Sequence, residues 1–305
     1  MNITIFMNAL PGNIAQGLIW GIMAIGVFIT YRILDIADLT VDGSICTGGA
    51  VCIMMMLAGH NPWIALLVSV VAGMLTGFVT GMLHTFMGIP AILSGILTQL
   101  ALYSINLKIM TKANQSISVD KYDLLVSLRY VKGVSLLHNT IFFIAVLIFA
   151  LIVLLYWFFG TELGCSLRAT GCNGNMARAQ GINTNRTKVL GLMISNGLVA
   201  LSGALLAQYQ GFADLNMGRG AIVIGLAAVI IGEAILGKVF RNFALRLLAV
   251  ALGSIVYYLV LQLVLMLGVD TDLLKLFTAA VVATFLAIPY LKKTYWAKPV
   301  KKGGK

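Results

Sequence analysis

Charged residues are scarce in this chain of 305 residues: Asp, Glu, Lys and Arg together make up 10% of it, and only 10 of them are acidic. A typical soluble domain contains about 25% charged residues. Hydrophobic residues make up 60% of the chain, so there are too few polar side chains to cover a surface in water. The scarcity of charge therefore excludes an ordinary soluble protein and indicates an integral membrane protein.

Sequence motifs of the common enzyme classes are also missing. His60, His84 and His138 share no metal-ligand spacing, and neither GxSxG nor HExxH occurs. The 4 cysteines form no CxxC pair, so we expect reduced thiols. The stretch GEAILGKV resembles a phosphate-binding loop, but Val239 stands where that motif needs Ser or Thr. We therefore expect a protein that is not an enzyme, has no metal or cofactor and does not itself hydrolyse ATP.

Long charge-free runs divide the chain into candidate membrane spans. No charged residue precedes Arg32, and none occurs from Gly43 to Leu107, which is room for three spans of about 20 residues. We expect an all-α polytopic membrane protein with about 8–10 transmembrane helices in a single transmembrane domain, residues 1–291. The short spans among them are candidates for broken or re-entrant helices. The predicted spans are 11–30, 43–58, 62–84, 89–110, 139–159, 189–211, 221–236, 243–267 and 272–291.

The distribution of basic residues predicts an orientation. The formal net charge is +11, and Lys and Arg of membrane proteins gather on cytoplasmic loops, so no nucleic-acid partner is needed to explain it. The tail 292–305 contains lysines and no acid, and we place it in the cytoplasm. Counting spans backwards from this tail puts the loop 160–188 in the cytoplasm and the loop 111–138 outside.

Three glycines of the third predicted span form a tandem GxxxG pattern. Gly73, Gly77 and Gly81 follow one another at intervals of four residues. This spacing puts a groove of small residues along one face of a helix, where a second helix backbone can approach closely. The second helix belongs either to the same chain or to another copy of it.

Acidic residues near the first span are candidates for a transport pathway. Asp35, Asp38 and Asp42 have the i, i+3, i+7 spacing of one helix face. They form either a solvated interfacial helix, with Arg32 partly paired to Asp35, or a polar lining beside a pathway.

Glu233 lies near the predicted cytoplasmic end of its span. It is either an intramembrane functional carboxylate or one member of an interfacial pair with Lys238. No acid lies at the middle of a long predicted span, which weakens the case for a proton- or sodium-coupled transporter. The residues we select as pathway candidates are Asp38, Thr40, Asp42, Ser44, Thr47 and Glu233.

The cytoplasmic loop 160–188 contains a predicted short helix, residues 173–180. Asn173 or Asn175 can cap its start, and Gly181 is placed for the left-handed position after its end. A helix of this length spans only about 12 Å and is not stable alone in water, so we expect it to dock either on the membrane domain of its own chain or in a cleft of a cytoplasmic partner. The residues expected to share its small apolar face are Ala169, Cys172, Met176 and Ala179.

The segment R-A-T-G-x-N-x-x-x-A-R-A-x-G-I-N, residues 168–183, resembles the cytoplasmic coupling segment of ABC-importer permeases of the branched-chain amino acid and ribose type. Two later segments, SNGLVALSGALLAQYQG and GLAAVIIGEAILG, resemble the next spans of that family in order. DLTVDGS, residues 38–44, is similar to the DLS-x-GS element of its sugar branch and to a sub-branch that includes tryptophan/tyrosine uptake systems. Together the resemblances cover nearly the whole chain.

The resemblance implies the permease subunit of an ATP-driven importer, which moves a small solute, expected to be an amino acid, by alternating access. It also implies cytoplasmic ABC ATPase subunits, an extracellular substrate-binding protein and a second permease copy. The location would be the bacterial plasma (inner) membrane, with the C-terminus in the cytoplasm. An ion-coupled secondary transporter or an exporter without an ATPase is the alternative. The residues expected at the ATPase interface are Ala169, Gly171, Cys172, Asn173, Asn175, Met176, Ala177, Arg178, Ala179 and Gly181.

Overall fold

The computed structural model describes residues 3–118, 122, 124–131, 139–237, 242–266, 276–280, 282–284 and 287. Most of these residues are helical, and the predicted all-α membrane architecture is confirmed. The helices are α1 (Ile3–Phe28, continued by a π-helical segment, Ile29–Ile33), α2 (Val41–Leu57), α3 (Pro62–Thr85), α4 (Ala91–Met110), α5 (Thr140–Gly160), α6 (Glu162–Cys172), α7 (Gly174–Ala179), α8 (Thr184–Gln210), α9 (Ala221–Leu236) and α10 (Phe243–Met266).

Eight of the predicted spans correspond to helices of the structure. Within the described part of the chain, 6 helices are long and apolar enough to cross a membrane, and α2 and α9 are shorter apolar helices. The ninth predicted span, 272–291, lies mostly outside the described residues, and the tail 292–305 lies wholly outside them.

Helix α8 lies at the centre of the bundle and packs against α1, α2 and α3. Its Gly, Ala and Ser residues leave room for the backbones of its neighbours. A Cβ atom at Gly203 would overlap the carbonyl of Ile45, and one at Gly48 of α2 would overlap the backbone of Ala200. The small residues of α8 are therefore the reason that α2 packs so closely against it.

The tandem GxxxG motif of α3 packs against α8 of the same chain. Gly73 faces the carbonyl of Asn196, and Gly77 faces the carbonyl of Leu192. Gly81 lies beside Val189, near the start of α8. All three glycines thus lie at a contact within the chain. Larger side chains at these three positions would push α3 and α8 apart.

A short antiparallel pair of strands joins two loops at one end of the bundle. Strand β1 (Asn114–Ser116) pairs with strand β2 (Phe212–Asp214). The chain after β2 turns back into the bundle, because Met217 contacts Gly49 and Gly218 lies against the carbonyl of Asp42. Helix α9 therefore begins beside the start of α2.

The 16 residues of α9 span about 24 Å, less than the hydrocarbon core of about 30 Å.

The segment before α2 corrects one prediction. Residues 34–40 are not helical, and Asp35 adopts a left-handed backbone with φ of 55°. Asp35 is exposed, Asp38 is buried and Asp42 lies in the first turn of α2. The prediction that the three acids share one helix face is therefore wrong, because the helix ends at Ile33 and a new one begins at Val41.

Candidate functional site

A buried carboxylate lies next to the middle of α8. Asp38 is 2% exposed and Asn196 is 0% exposed. The Asp38 Oδ1 atom accepts a hydrogen bond from the backbone N–H of Thr40 at 2.9 Å, and Oδ2 accepts one from Asn196 Nδ2 at 2.7 Å. Both oxygens of the Asp38 carboxylate thus accept a hydrogen bond, as buried polar groups in folded proteins usually do.

Hydroxyl groups extend this contact into a network that joins four helices. The Ser44 hydroxyl donates to Asn196 Oδ1 at 2.6 Å and lies 2.7 Å from the Thr76 hydroxyl. The Thr40 and Thr80 hydroxyls are 2.7 Å apart, and Thr80 donates to Thr98 at 2.9 Å. The resulting buried polar network consists of Asp38, Thr40, Ser44, Thr76, Thr80, Thr98 and Asn196.

Four members of this network were missed by the sequence analysis: Thr76, Thr80, Thr98 and Asn196. The sequence does contain a signal for some of them. Asn196 is an amide near the middle of a long apolar run, and Thr76 and Thr80 each stand directly before a glycine of the GxxxG motif. Polar side chains at such positions face other helices rather than lipid. Their partners were not predictable, since these partners come from other helices.

Asp42 caps helix α9 from a different part of the chain. Its Oδ2 atom accepts the backbone N–H of Gly220 at 3.0 Å, and Oδ1 accepts that of Ile222 at 3.0 Å. The first N–H groups of a helix have no partner within the helix, and Gly220 itself has no side chain to supply one. Asp42 therefore stabilises the start of α9 and ties it to α2.

A cavity of about 310 Å³ lies beside this cap, between α2, α4 and the turn before α9. Asn106 is 1% exposed, and neither atom of its amide group has a hydrogen-bond partner at conventional distance, although the Cys46 thiol lies beside it. Arg219, which is exposed, adds a positive charge to the lining of the cavity. The residues that line the cavity are Asp42, Gly43, Cys46, Gln99, Leu100, Tyr103, Asn106, Leu215 and Arg219.

Two other pathway candidates lie elsewhere. Thr47 is 4% exposed and donates its hydroxyl to the carbonyl of Gly43 at 3.0 Å, within its own helix. Glu233 forms an ion pair with Arg32, with 3.1 Å between Oε1 and Nε. The predicted pairing of Arg32 with Asp35 is therefore wrong: Arg32 pairs with Glu233, and the backbone of Asp35 is left-handed rather than helical. Lys238, the partner predicted for Glu233, lies outside the described residues.

The loop 160–188 contains two helices rather than one. The predicted short helix corresponds to α7, and Asn173 caps it by accepting the N–H groups of Asn175 and Met176 at 3.1 Å each. Gly181 has the left-handed φ of 83° expected after a helix end. Helix α6, which precedes α7, was not predicted. Gly171 anchors α6 by lying against the carbonyl of Ile33.

The break at Asn173 overturns the single apolar face predicted for this loop. Ala169 and Cys172 belong to α6, whereas Met176 and Ala179 belong to α7, so the four residues do not follow one helical repeat. Ala177 is instead the buried residue of α7, at 3% exposure, whereas Met176 is 63% exposed.

Most of the residues expected at an ATPase interface are accessible in the chain. The Nε atom of Arg178 donates to the hydroxyl of Thr184 at 2.7 Å, so α7 is held to the start of α8. Ala169 and Gly171 are half-buried. The exposed members of the set are Cys172, Asn173, Asn175, Met176, Arg178, Ala179 and Gly181.

In the described part of the chain, no group of three or more His, Cys, Asp or Glu side chains is placed to hold a metal ion. The 6 long apolar helices, the two shorter ones and the buried polar network between them fit a multi-pass membrane protein. The chain belongs to the family of permease components of branched-chain amino acid transport systems, whose family model matches residues 12–286. It is a permease component of an ABC-type import system.

Curated relatives match the chain over most of their lengths. The chain is 40% identical to a tyrosine transport system permease protein of Clostridioides difficile, over 92% of this chain and 91% of that one. It is 36% identical to the uncharacterized protein RP368 of Rickettsia prowazekii, over 94% and 99%. It is 26% identical to the fructose import permease protein FruF of Bifidobacterium longum, over 80% and 67%.

Proposed function

We propose that this permease carries an aromatic amino acid, with tyrosine as the first substrate to test. The observation that carries the proposal is the 40% identity to the tyrosine transport permease along 92% of this chain. The fructose permease is less similar, at 26% identity, which favours an amino acid over a sugar as the cargo.

The cavity beside Asp42 is the proposed contact point for the solute. Its volume of about 310 Å³ lies at the lower end of the range of small-molecule pockets, about 300–1,000 Å³. Arg219 would attract the carboxylate of an amino acid, and Gln99 and Asn106 offer amide groups for its polar atoms. The neighbouring polar network, which includes Asp38 and Asn196, would hold α2, α3 and α8 in register as the pathway opens and closes.

Helix α7 and the end of α6 are the proposed contact with an ABC ATPase. The exposed Met176 side chain suits insertion into a cleft of that partner, because apolar surface is removed from water there. Gly171 holds α6 against the end of α1, at the carbonyl of Ile33. Movement of the ATPase would therefore be transmitted to α1 and α8, and so to the pathway.

The remaining assembly follows from the same proposal. The loops at the β1–β2 end of the bundle would face outside and receive a substrate-binding protein, and the loop containing α6 and α7 would face the cytoplasm. A second copy of the chain would complete the central pathway in a bacterial inner membrane. The single transmembrane domain, residues 1–291, would then contain the whole translocation path of one subunit.

Uptake in reconstituted vesicles tests the function. The permease is purified with its cognate ATPase and binding protein, inserted into vesicles and supplied with labelled tyrosine. We expect uptake that needs ATP and is inhibited by unlabelled tyrosine but not by fructose. Uptake without ATP, driven by a proton or sodium gradient, would instead support an ion-coupled transporter.

A further inference from the structure

A large cleft lies where α1, α5, α6 and α10 meet, on the side of the bundle that contains α6 and α7. Its volume is about 980 Å³. Three arginines line it, namely Arg32, Arg168 and Arg246. They come from the end of α1, from α6 and from the start of α10, so distant parts of the sequence bring positive charge to one place.

Two of the three arginines form no ion pair with an acid in the described part of the chain. Arg32 pairs with Glu233. Neither Arg168 nor Arg246 has a carboxylate within ion-pair distance among the residues that the structure describes. Among the described residues, the cleft therefore holds two positive charges without an acidic partner, beside one neutral pair.

Arg168 is held firmly at the wall of the cleft. One of its terminal nitrogens donates to the carbonyl of Phe159 at 2.6 Å. Its guanidinium also lies 4.7 Å from the centre of the Phe243 ring, within the distance of a cation–π contact. These contacts fix the position of the charge without cancelling it.

The opposite wall of the cleft is apolar and faces away from the bundle. Val153 and Trp157 of α5 are 53% and 71% exposed, and only 22% of the most apolar stretch of α5 is buried in the protein. Tryptophan at the end of a membrane span is typical of the lipid headgroup level. The arginines therefore lie near headgroup depth, directly beside a surface that suits acyl chains.

We propose that this cleft binds an anionic phospholipid. The phosphate group sits between Arg168 and Arg246, and an acyl chain lies along Val153 and Trp157 of α5. Guanidinium groups match phosphate oxygens in both charge and geometry, and basic clusters at the membrane surface select anionic over zwitterionic lipids. The proposal does not depend on which solute the permease carries.

Fluorescence quenching in vesicles tests this site on the full chain. The permease is inserted into phosphatidylcholine vesicles in which a minor fraction of the lipid is brominated, either as phosphatidylglycerol or as phosphatidylcholine. The emission of Trp157 is obtained as the difference from the Trp157→Phe variant. We expect brominated phosphatidylglycerol to quench Trp157 more strongly than brominated phosphatidylcholine does at the same fraction.

Variants then test the role of the charge. Arg246→Gln should weaken the preference for phosphatidylglycerol about fivefold, as expected when one basic contact with an anionic lipid is lost. Arg246→Lys should retain most of the preference. Arg186→Gln serves as the matched control, because Arg186 is an exposed arginine near the start of α8 that does not line the cleft.

Equal quenching by the two brominated lipids in the unmodified protein would overturn the proposal. This comparison keeps all three arginines, so it does not depend on whether an arginine variant folds. An unchanged preference in folded Arg246→Gln would overturn it too. If inorganic phosphate reduces the preference more than chloride at the same ionic strength does, the result supports the proposal, because the two phosphate groups then compete for the same arginines.

Discussion

Asn196 at the middle of α8 donates a hydrogen bond of 2.7 Å to Asp38, 158 residues earlier in the chain. Asp38 lies in the irregular segment before α2, and Ser44 in α2 donates to the same Asn196 side chain. Because the two residues are buried, each depends on the other for its hydrogen bonds. The pair therefore ties the irregular segment before α2 to the middle of α8.

Exchanging the two side chains tests this relationship. Asp38→Asn turns an NH₂ group toward a donor, either the N–H of Thr40 or the amide of Asn196, and should lower the free energy of unfolding by about 1–3 kcal/mol. Asn196→Asp places two carboxylates together and should cost a similar amount. The double exchange restores a donor opposite an acceptor and should recover most of the loss. Thermal unfolding of the four proteins in detergent measures the coupling. Strictly additive losses would show that the hydrogen bond contributes nothing.

Gly77 gives a second prediction, on the packing of α3 against α8. A Cβ atom there would overlap the carbonyl of Leu192, and the α8 backbone cannot move aside easily. Gly77→Ala should lower the free energy of unfolding by about 1–3 kcal/mol, as is typical of overpacking. Gly160→Ala is the control, because a Cβ at Gly160 meets no atom within 4 Å. Equal unfolding temperatures for the two variants would contradict this account of the GxxxG motif.

Asp42 gives a third prediction, on the start of α9. Asp42→Ala removes both acceptors from the N–H groups of Gly220 and Ile222 and should weaken the start of α9 by about 1 kcal/mol. Asp42→Asn retains one acceptor oxygen and should cost less. Hydrogen exchange of the amides at residues 220–224 measures the effect locally. Exchange that is no faster in Asp42→Ala would show that water replaces the carboxylate at no cost.

The membrane spans were predictable because they depend on local composition. Eight helices fall where charge-free runs predicted them, and the cap at Asn173 and the left-handed Gly181 follow from side-chain chemistry within a few residues. Helix α6 was missed although its buried residues Gly164, Leu167 and Thr170 follow a helical spacing. Its place is set by the close contact of Gly171 with Ile33, which only the folded chain brings together.

The polar site was predictable only in part, for a physical reason. Asp38, Thr40 and Ser44 stand out in the sequence as polar residues beside a span. Their partners on α3, α4 and α8 are a few among several polar residues of those helices, and pairing them requires knowledge of which helix faces meet. The expected Arg32–Asp35 pair failed for a related reason, since a left-handed residue redirects the chain and Glu233, 201 positions away, takes its place.

Glu233 gives a fourth prediction, which separates a structural ion pair from a transport carboxylate. The side chains of Arg32 and Glu233 are 60% and 32% exposed, and partly exposed pairs of this kind contribute about 0–1 kcal/mol. Glu233→Gln should therefore leave ATP-driven uptake within about twofold of the unmodified protein. Loss of uptake in a folded Glu233→Gln protein would favour an ion-coupled mechanism.

Met176 gives the last prediction, on the contact proposed for the ATPase. Its side chain is 63% exposed in the isolated chain, whereas the neighbouring Ala177 is buried and holds α7 in place. Met176→Asp should put a charge into the interface and weaken co-purification of the ATPase at least tenfold, since burying an unpaired charge costs more than about 1.4 kcal/mol. Met176→Leu keeps the apolar contact and is the matched control. The unfolding temperature of the permease alone should not change in either variant, because Met176 has little packing to lose. Full retention of the ATPase by Met176→Asp would place the coupling contact elsewhere on the loop.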